Sequence, residues 1–221
     1  RMIYVAVDFS LNSPGICIHD DSKDSYHFVS YIKRGQGTKK DQKKQDDISL
    51  LKDTTLVYQP DWDKSDNYSS AEISKVKRYS RTAQDLINII LKITKTKDNY
   101  IIGFEGTSFG SKMGTNNIID MAAGAALLKA EMLNQLDVKA LETVAPSTIK
   151  KHAGKGNMNK TMLWKVFIDN NIKDQKLENS KLFNYCVDEI GEVSKIPKPF
   201  DDLVDAFFLN SLLQTLFNPQ A

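Results

Sequence analysis

The chain has little sulfur and little histidine. Its 221 residues hold only two cysteines, Cys17 and Cys186, and three histidines. Cysteines this far apart, with no CxxC pair and no Cys/His ligand spacing, argue against a disulfide scaffold and fit a reducing compartment. Cys17 falls inside an apolar run and reads as a small core residue. His19, His27 and His152 sit in no sequence context that suggests a catalytic triad. No stretch approaches the length of a membrane span, and the opening RMIYVAVDF has no signal-peptide run. These features predict a soluble, cytoplasmic protein without a membrane partner. A net charge of +2 excludes a polycation that coats nucleic acid, so affinity for phosphate must come from local clusters. The 41% hydrophobic content is enough for a core, and the length suits one domain over residues 1–221.

What the sequence does contain is a succession of short apolar segments. Met2 to Val7 reads as a buried strand ending at Asp8. Asn12-Ser13-Pro14-Gly15 is a turn by composition, and Ile16 to Ile18 and Tyr26 to Ile32 supply two more strands, so the chain opens with an antiparallel meander. Residues 33–68 change character: lysines, glycines and polar residues dominate, which predicts a surface insertion. Helical spacing returns over 70–96, a strand ends at Glu105, and an Ala-rich helix is predicted over 118–136. A strand at 138–144, short helices at 146–152 and 158–170, and an apolar helix from Asp201 to about Phe217 complete an α/β layered domain.

Four carboxylates stand out in this pattern. Asp8 and Glu105 each end an apolar strand and precede turn residues, the position where open α/β sheets bind ligands. Asp202 and Asp205 are three residues apart on one helix face. Asp201 and Asp202 also suit capping and the helix dipole. Asp205 is harder to explain structurally, because it lies among Val204, Ala206, Phe207 and Phe208, where a lone buried carboxylate is expensive. Gathered together, such acids repel one another, and a hard divalent cation such as Mg²⁺ resolves the conflict. Upstream, Lys150, Lys151, Lys155, Lys160 and Lys165 form a basic run suited to phosphate. The Lys33 to Lys44 run reads as a flexible phosphate-binding arm or as a solubilising loop, whereas Lys75, Lys77, Arg78 and Arg81 read at least as well as a solvated helix face.

In order along the chain, VAVDFSLNSPGICI, IIGFEG, APSTIKKHAGKGNMNKTMLW and DDLVDAFFLN resemble four segments of the RuvC-type Holliday junction resolvases. The resemblance implies an RNase H-like mixed β-sheet, antiparallel over its first three strands and then parallel, flanked by helices. It implies a homodimeric, Mg²⁺-dependent endodeoxyribonuclease of DNA recombination and repair. Such an enzyme nicks opposed strands of a four-way junction, with two ions per site and Mn²⁺ able to substitute. Its metal ligands would be Asp8, Glu105, Asp202 and Asp205, with Lys160 near the scissile phosphate. Lys150 or Lys151, Lys155 and the aromatic Phe109 would contact DNA, and the helix at 118–136 would form the dimer interface. The 33–68 segment has no counterpart in compact bacterial members and would suit a phage or other mobile genome. The alternative is another RNase H-like nuclease acting on flaps, RNA–DNA hybrids, or branched replication or packaging intermediates.

Overall fold

Alternation in the first strand dictates a sheet covered on both sides. Ile3, Val5 and Val7 point one way, Tyr4 and Ala6 the other, and all five are buried. The computed structural model describes residues 1–10, 13–33, 35, 37–59, 67–106, 115–169 and 177–218. β1 (Ile3–Asp8) lies within a six-stranded sheet of order β4-β3-β2-β1-β5-β6, whose edge strand β4 is Thr54–Gln59. It pairs antiparallel with β2 (Gly15–Asp20), which pairs antiparallel with β3 (Ser25–Lys33). β5 (Tyr100–Glu105) runs parallel to β1, and β6 (Val138–Val144) runs parallel to β5. This is the mixed sheet that the motifs imply.

Two helical layers cover the sheet. On one face α2 (Tyr68–Thr94) and α3 (Thr115–Gln135) pack Leu86, Ile87, Ile90, Leu128 and Met132 onto Ile3, Val5, Val7 and Ile16. Asn67 starts α2 by accepting the Ser70 N–H at 2.9 Å, which satisfies one of the orphan donors of the first turn. On the other face lie α4 (Pro146–Ala153), α5 (Lys160–Ile168), α6 (Lys181–Tyr185) and α7 (Phe200–Phe217). They enclose Tyr4, Ala6, Cys17 and Phe28 with Trp164, Phe167, Phe207 and Leu213. Both cysteines are buried and unpaired. Among the described residues no helix is long and apolar enough to cross a membrane.

α7 is apolar on nearly every side because it is the central helix of its layer. Two glycines let it approach the sheet. A Cβ at Gly15 would meet the Asp202 carbonyl oxygen at 2.5 Å, and one at Gly103 would meet Leu213 at 2.8 Å. Asn210, fully buried, donates to the Tyr4 carbonyl at 3.0 Å and the Cys17 carbonyl at 2.9 Å, which fixes the register of α7 over β1 and β2.

The stretch read as a surface insertion carries two regular elements of the domain. α1 (Lys39–Ser49) is capped by Thr38 and Asp41, and β4 (Thr54–Gln59) extends the sheet in parallel beside β3. Ile48 and Gln45 are buried, and Asp53 accepts from the Ser180 hydroxyl at 2.7 Å. Its apolar positions that meet the core, Ile48, Leu51, Leu56 and Val57, are diluted by lysine and aspartate, which is why composition alone presents it as surface.

Candidate metal centre

The acidic residues reach one place by three routes. β1 and β5 are adjacent and parallel in register, so Asp8 and Glu105 emerge side by side at the same end of the sheet. α7 crosses that end because Gly15, opposite Asp8 on β2, leaves room for its first turns. Asp205 then projects between the two strand ends. One carboxylate oxygen from each of Asp8, Glu105 and Asp205 lies within 4.8 Å of the other two.

Asp202 stands at the flank of this triad. Its two oxygens both accept from the Lys198 ammonium at 2.7 Å. Lys198 also pairs with Asp201 at 2.9 Å. Lys160, from the first turn of α5, bridges Asp201 at 3.0 Å, Asp205 at 3.3 Å and Asp202 at 3.8 Å. Three of the four sequence candidates therefore share a ligand-sized space, and the fourth is joined to them through two lysines. α7 begins at Phe200 with Pro199 as its N-cap, so Asp201 lies inside the first turn and serves as an ion-pair partner, not the cap.

The electrostatics are those of crowded carboxylates. Burial pushes the Asp8 carboxyl well above its usual range, and Glu105, Asp205 and Asp202 add repulsion. Burial and then Asp205 push Glu105 up to about 7. Asp205 is raised by burial against the opposing pull of Lys160, and Asp202 by burial and Asp201 against Lys198. Desolvation would lower Lys160, but Asp205 and Asp201 more than offset it and hold the ammonium charged. Such oxygen-only, like-charged donors fit a hard divalent cation, and nitrogen or sulfur ligands are absent from this cluster among the described residues.

The flanking lysines separate into roles. Lys150 is close enough to Glu105 to pull its carboxyl down, whereas the Lys151 Cβ sits over Gly156 on the loop side. Lys155 is exposed on that loop. Lys165 is paired with Glu192 at 2.9 Å and is turned away from the acids. Lys75 bridges Glu72 and Asp120 at 2.7 and 3.0 Å, which makes the start of the α2 cluster a tie to α3. Phe109 lies outside the described residues. His27 bonds Thr55 and His152 bonds Ser211, each at 2.9 Å, away from the acids. Lys198 escaped the sequence reading, although its place four residues before Asp202 on a helix approach was a usable signal.

No model of a known protein family matches the chain, and no curated relative is found. Among solved structures it is similar to the yeast mitochondrial Holliday junction resolvase Ydc2, with a TM-score of 0.50 and 11% identity over 98% of this chain and 82% of that one. Thermus thermophilus RuvC in complex with a Holliday junction substrate aligns at TM-score 0.47 and 9% identity, over 99% and 97% of the two chains. Fowlpox virus resolvase in complex with junction DNA aligns at 0.43 and 16%, over 98% and 100%. The mixed six-stranded sheet flanked by helices is an RNase H-like fold, and the likeness to Ydc2 is one of fold.

Proposed function

We propose that this protein is a metal-dependent nuclease that cuts four-way DNA junctions. The observation that carries the reading is the meeting of Asp8, Glu105 and Asp205 at one sheet end with Lys160 beside them. Mutually repelling buried carboxylates are costly to fold and are retained where a cation is part of the working state. Asp8, Glu105 and Asp205 would hold a divalent ion, Mg²⁺ or Mn²⁺. When bound, such an ion polarises a phosphate oxygen and lowers the pKa of a water. Asp202 is the ligand that a second ion would add, and Lys198 would have to release it first.

The chain's own residues then position the substrate. Lys160, with its side chain 55% exposed, presents an ammonium at the rim of the acidic cluster, where it can take a phosphate oxygen adjoining the scissile bond. Lys150 adds positive charge on the Glu105 side, and Lys151 in the last turn of α4 and Lys155 on the loop after it extend that charge. Phe109, four residues beyond Glu105 in sequence and followed by Gly110, is the residue proposed to open the junction centre. Protein of this kind would act as a homodimer, because a two-fold junction calls for paired, opposed nicks.

The deciding experiment uses Mg²⁺-dependent nicking of a synthetic four-way junction, with flap, RNA–DNA hybrid and linear duplex as competitors. Asp205→Asn should reduce cleavage by at least three orders of magnitude while leaving junction binding within a few-fold of wild type. Equal cutting of hybrid or flap would favour the alternative substrates. Undiminished cleavage by Asp205→Asn would remove the acidic cluster from the chemistry.

A further inference from the structure

α1 has no role in the reading above, yet it is held rigidly beside the site. Ile48 and Gln45 are buried, Gln45 lies 3.5 Å from the Lys198 carbonyl oxygen, and the Tyr185 hydroxyl donates to Asp47 at 3.0 Å. These ties stand α1 opposite residues 194–198, and between them runs an open groove of about 800 Å³. Its inner end is formed by Lys160 and Asp201, members of the acidic cluster. Its walls carry Lys40 and Lys44 from α1 and Lys195 from the facing segment. Lys40 and Lys195 are exposed, and Lys44 is half-buried. The acid that faces these lysines is Asp41, whose carboxylate accepts from the Thr38 N–H at 2.8 Å and the Thr38 hydroxyl at 2.9 Å as part of the helix cap. The groove therefore has an excess of cations that the fold does not consume, on a wall fixed in place and leading directly to the carboxylates.

We propose that this groove is a track for the phosphodiester backbone of one DNA strand entering or leaving the acidic site, with Lys40, Lys44 and Lys195 as its phosphate contacts. A phosphate backbone suits the geometry: an open groove with ammonium groups on both walls, Lys40 and Lys44 on one side and Lys195 on the other. Lysine is a compact point charge on a flexible stem, which suits sequence-independent contact. The proposal rests on the nuclease reading of the acidic site and extends it. It turns the basic run at the start of α1 into a fixed wall of the substrate channel.

Fluorescence anisotropy with labelled junction DNA tests the groove, using the full chain in EDTA so that binding is read without cutting. The triple variant Lys40→Glu/Lys44→Glu/Lys195→Glu should weaken binding at least tenfold. A matched triple, Lys92→Glu/Lys95→Glu/Lys97→Glu, spans the last turn of α2 and the residues just after it, beside the start of β5 at the opposite end of the sheet, and should change binding less than threefold. Losing three phosphate contacts should also flatten the slope of log affinity against log salt by about two to three. The neutral version Lys40→Gln/Lys44→Gln/Lys195→Gln keeps the test open if the charge reversal unfolds α1, and should show the same change in slope. Equal losses in both triples, or an unaltered groove variant, would overturn the track. Wild-type protein that binds DNA yet cuts none of the substrates would end the nuclease reading and leave the groove standing. A wild type that cuts, alongside a groove variant that binds as tightly, would do the reverse.

Discussion

At the residue scale the acidic cluster makes a definite statement about pH. In metal-free protein the Glu105 carboxyl is pushed up to about 7 by burial and by Asp205, from an ordinary value of 4.5. A raised carboxyl pKa means the folded state keeps its proton where the unfolded chain has released it. Its stabilising contribution is therefore full below about pH 4.5 and lost as pH rises through about 7. One group shifted this far corresponds to roughly 3–4 kcal/mol, which at this chain length is on the order of ten degrees of melting temperature. In EDTA, the melting temperature should fall between pH 5 and pH 8, and Glu105→Gln should flatten that fall. Mg²⁺ or Mn²⁺ at pH 8 should recover the loss in wild type and do much less in the variant, because a bound cation stabilises only the state that binds it. Differential scanning fluorimetry across this pH range reads both effects. Parallel pH curves for the two proteins would mean that Glu105 is an ordinary solvated carboxylate.

At the scale of elements, the site exists because α7 can lie close to the sheet, and Gly15 is one of the two glycines that allow it. A methyl group there would fall 2.5 Å from the Asp202 carbonyl oxygen, a backbone atom that cannot move without moving the helix. Gly15→Ala should cost roughly 1–3 kcal/mol by overpacking. It should lower Mn²⁺ affinity as well, since displacing the first turns of α7 moves Asp205 away from Asp8 and Glu105. A chemical melt together with Mn²⁺ titration by calorimetry checks both; a loss of stability with unchanged metal affinity would show that α7 adjusts locally. How far the sequence revealed this arrangement depends on the element. Asp8 and Glu105 were legible because an apolar strand ending in an acid is a local pattern, and Asp205 because a carboxylate among phenylalanines contradicts its surroundings. The ammonium of Lys198 on Asp202 was signalled only by their four-residue spacing, since the contact itself depends on how residues 197–199 turn into α7. β4 was missed for a related reason. Thr54 to Gln59 gain their strand character from pairing with β3, whereas their neighbours in sequence are charged.

For the whole molecule, the surface away from α7 bears on paired cutting. α2 leads into β5 and α3 leads away from it, so the starts of both helices lie at the sheet end that carries Glu105. Lys75 of α2 bonds Asp120 of α3 at 3.0 Å, which brings those two starts side by side. Ile73 and Val76 on α2 and Ile119 on α3 are exposed there by 54%, 57% and 59%. If the protein is the homodimer proposed above, large aliphatic side chains grouped on one surface are where its contact face is expected, since leaving them in water gains nothing for the monomer. A two-fold axis through this patch would leave α7 and the acidic clusters on the outer sides of the pair, opening toward the same end. That disposition matches two opposed nicks in one junction. Light scattering on wild type should then give about twice the 24.9 kDa chain mass, and Ile73→Asp/Ile119→Asp should shift it toward the monomer. The same variant should still nick one strand while losing the near-simultaneous second cut, read by whether linear products or singly nicked circles accumulate from a supercoiled cruciform plasmid. A wild type that is monomeric at tens of micromolar and remains so on junction DNA would remove the dimer and require each cut to be made independently.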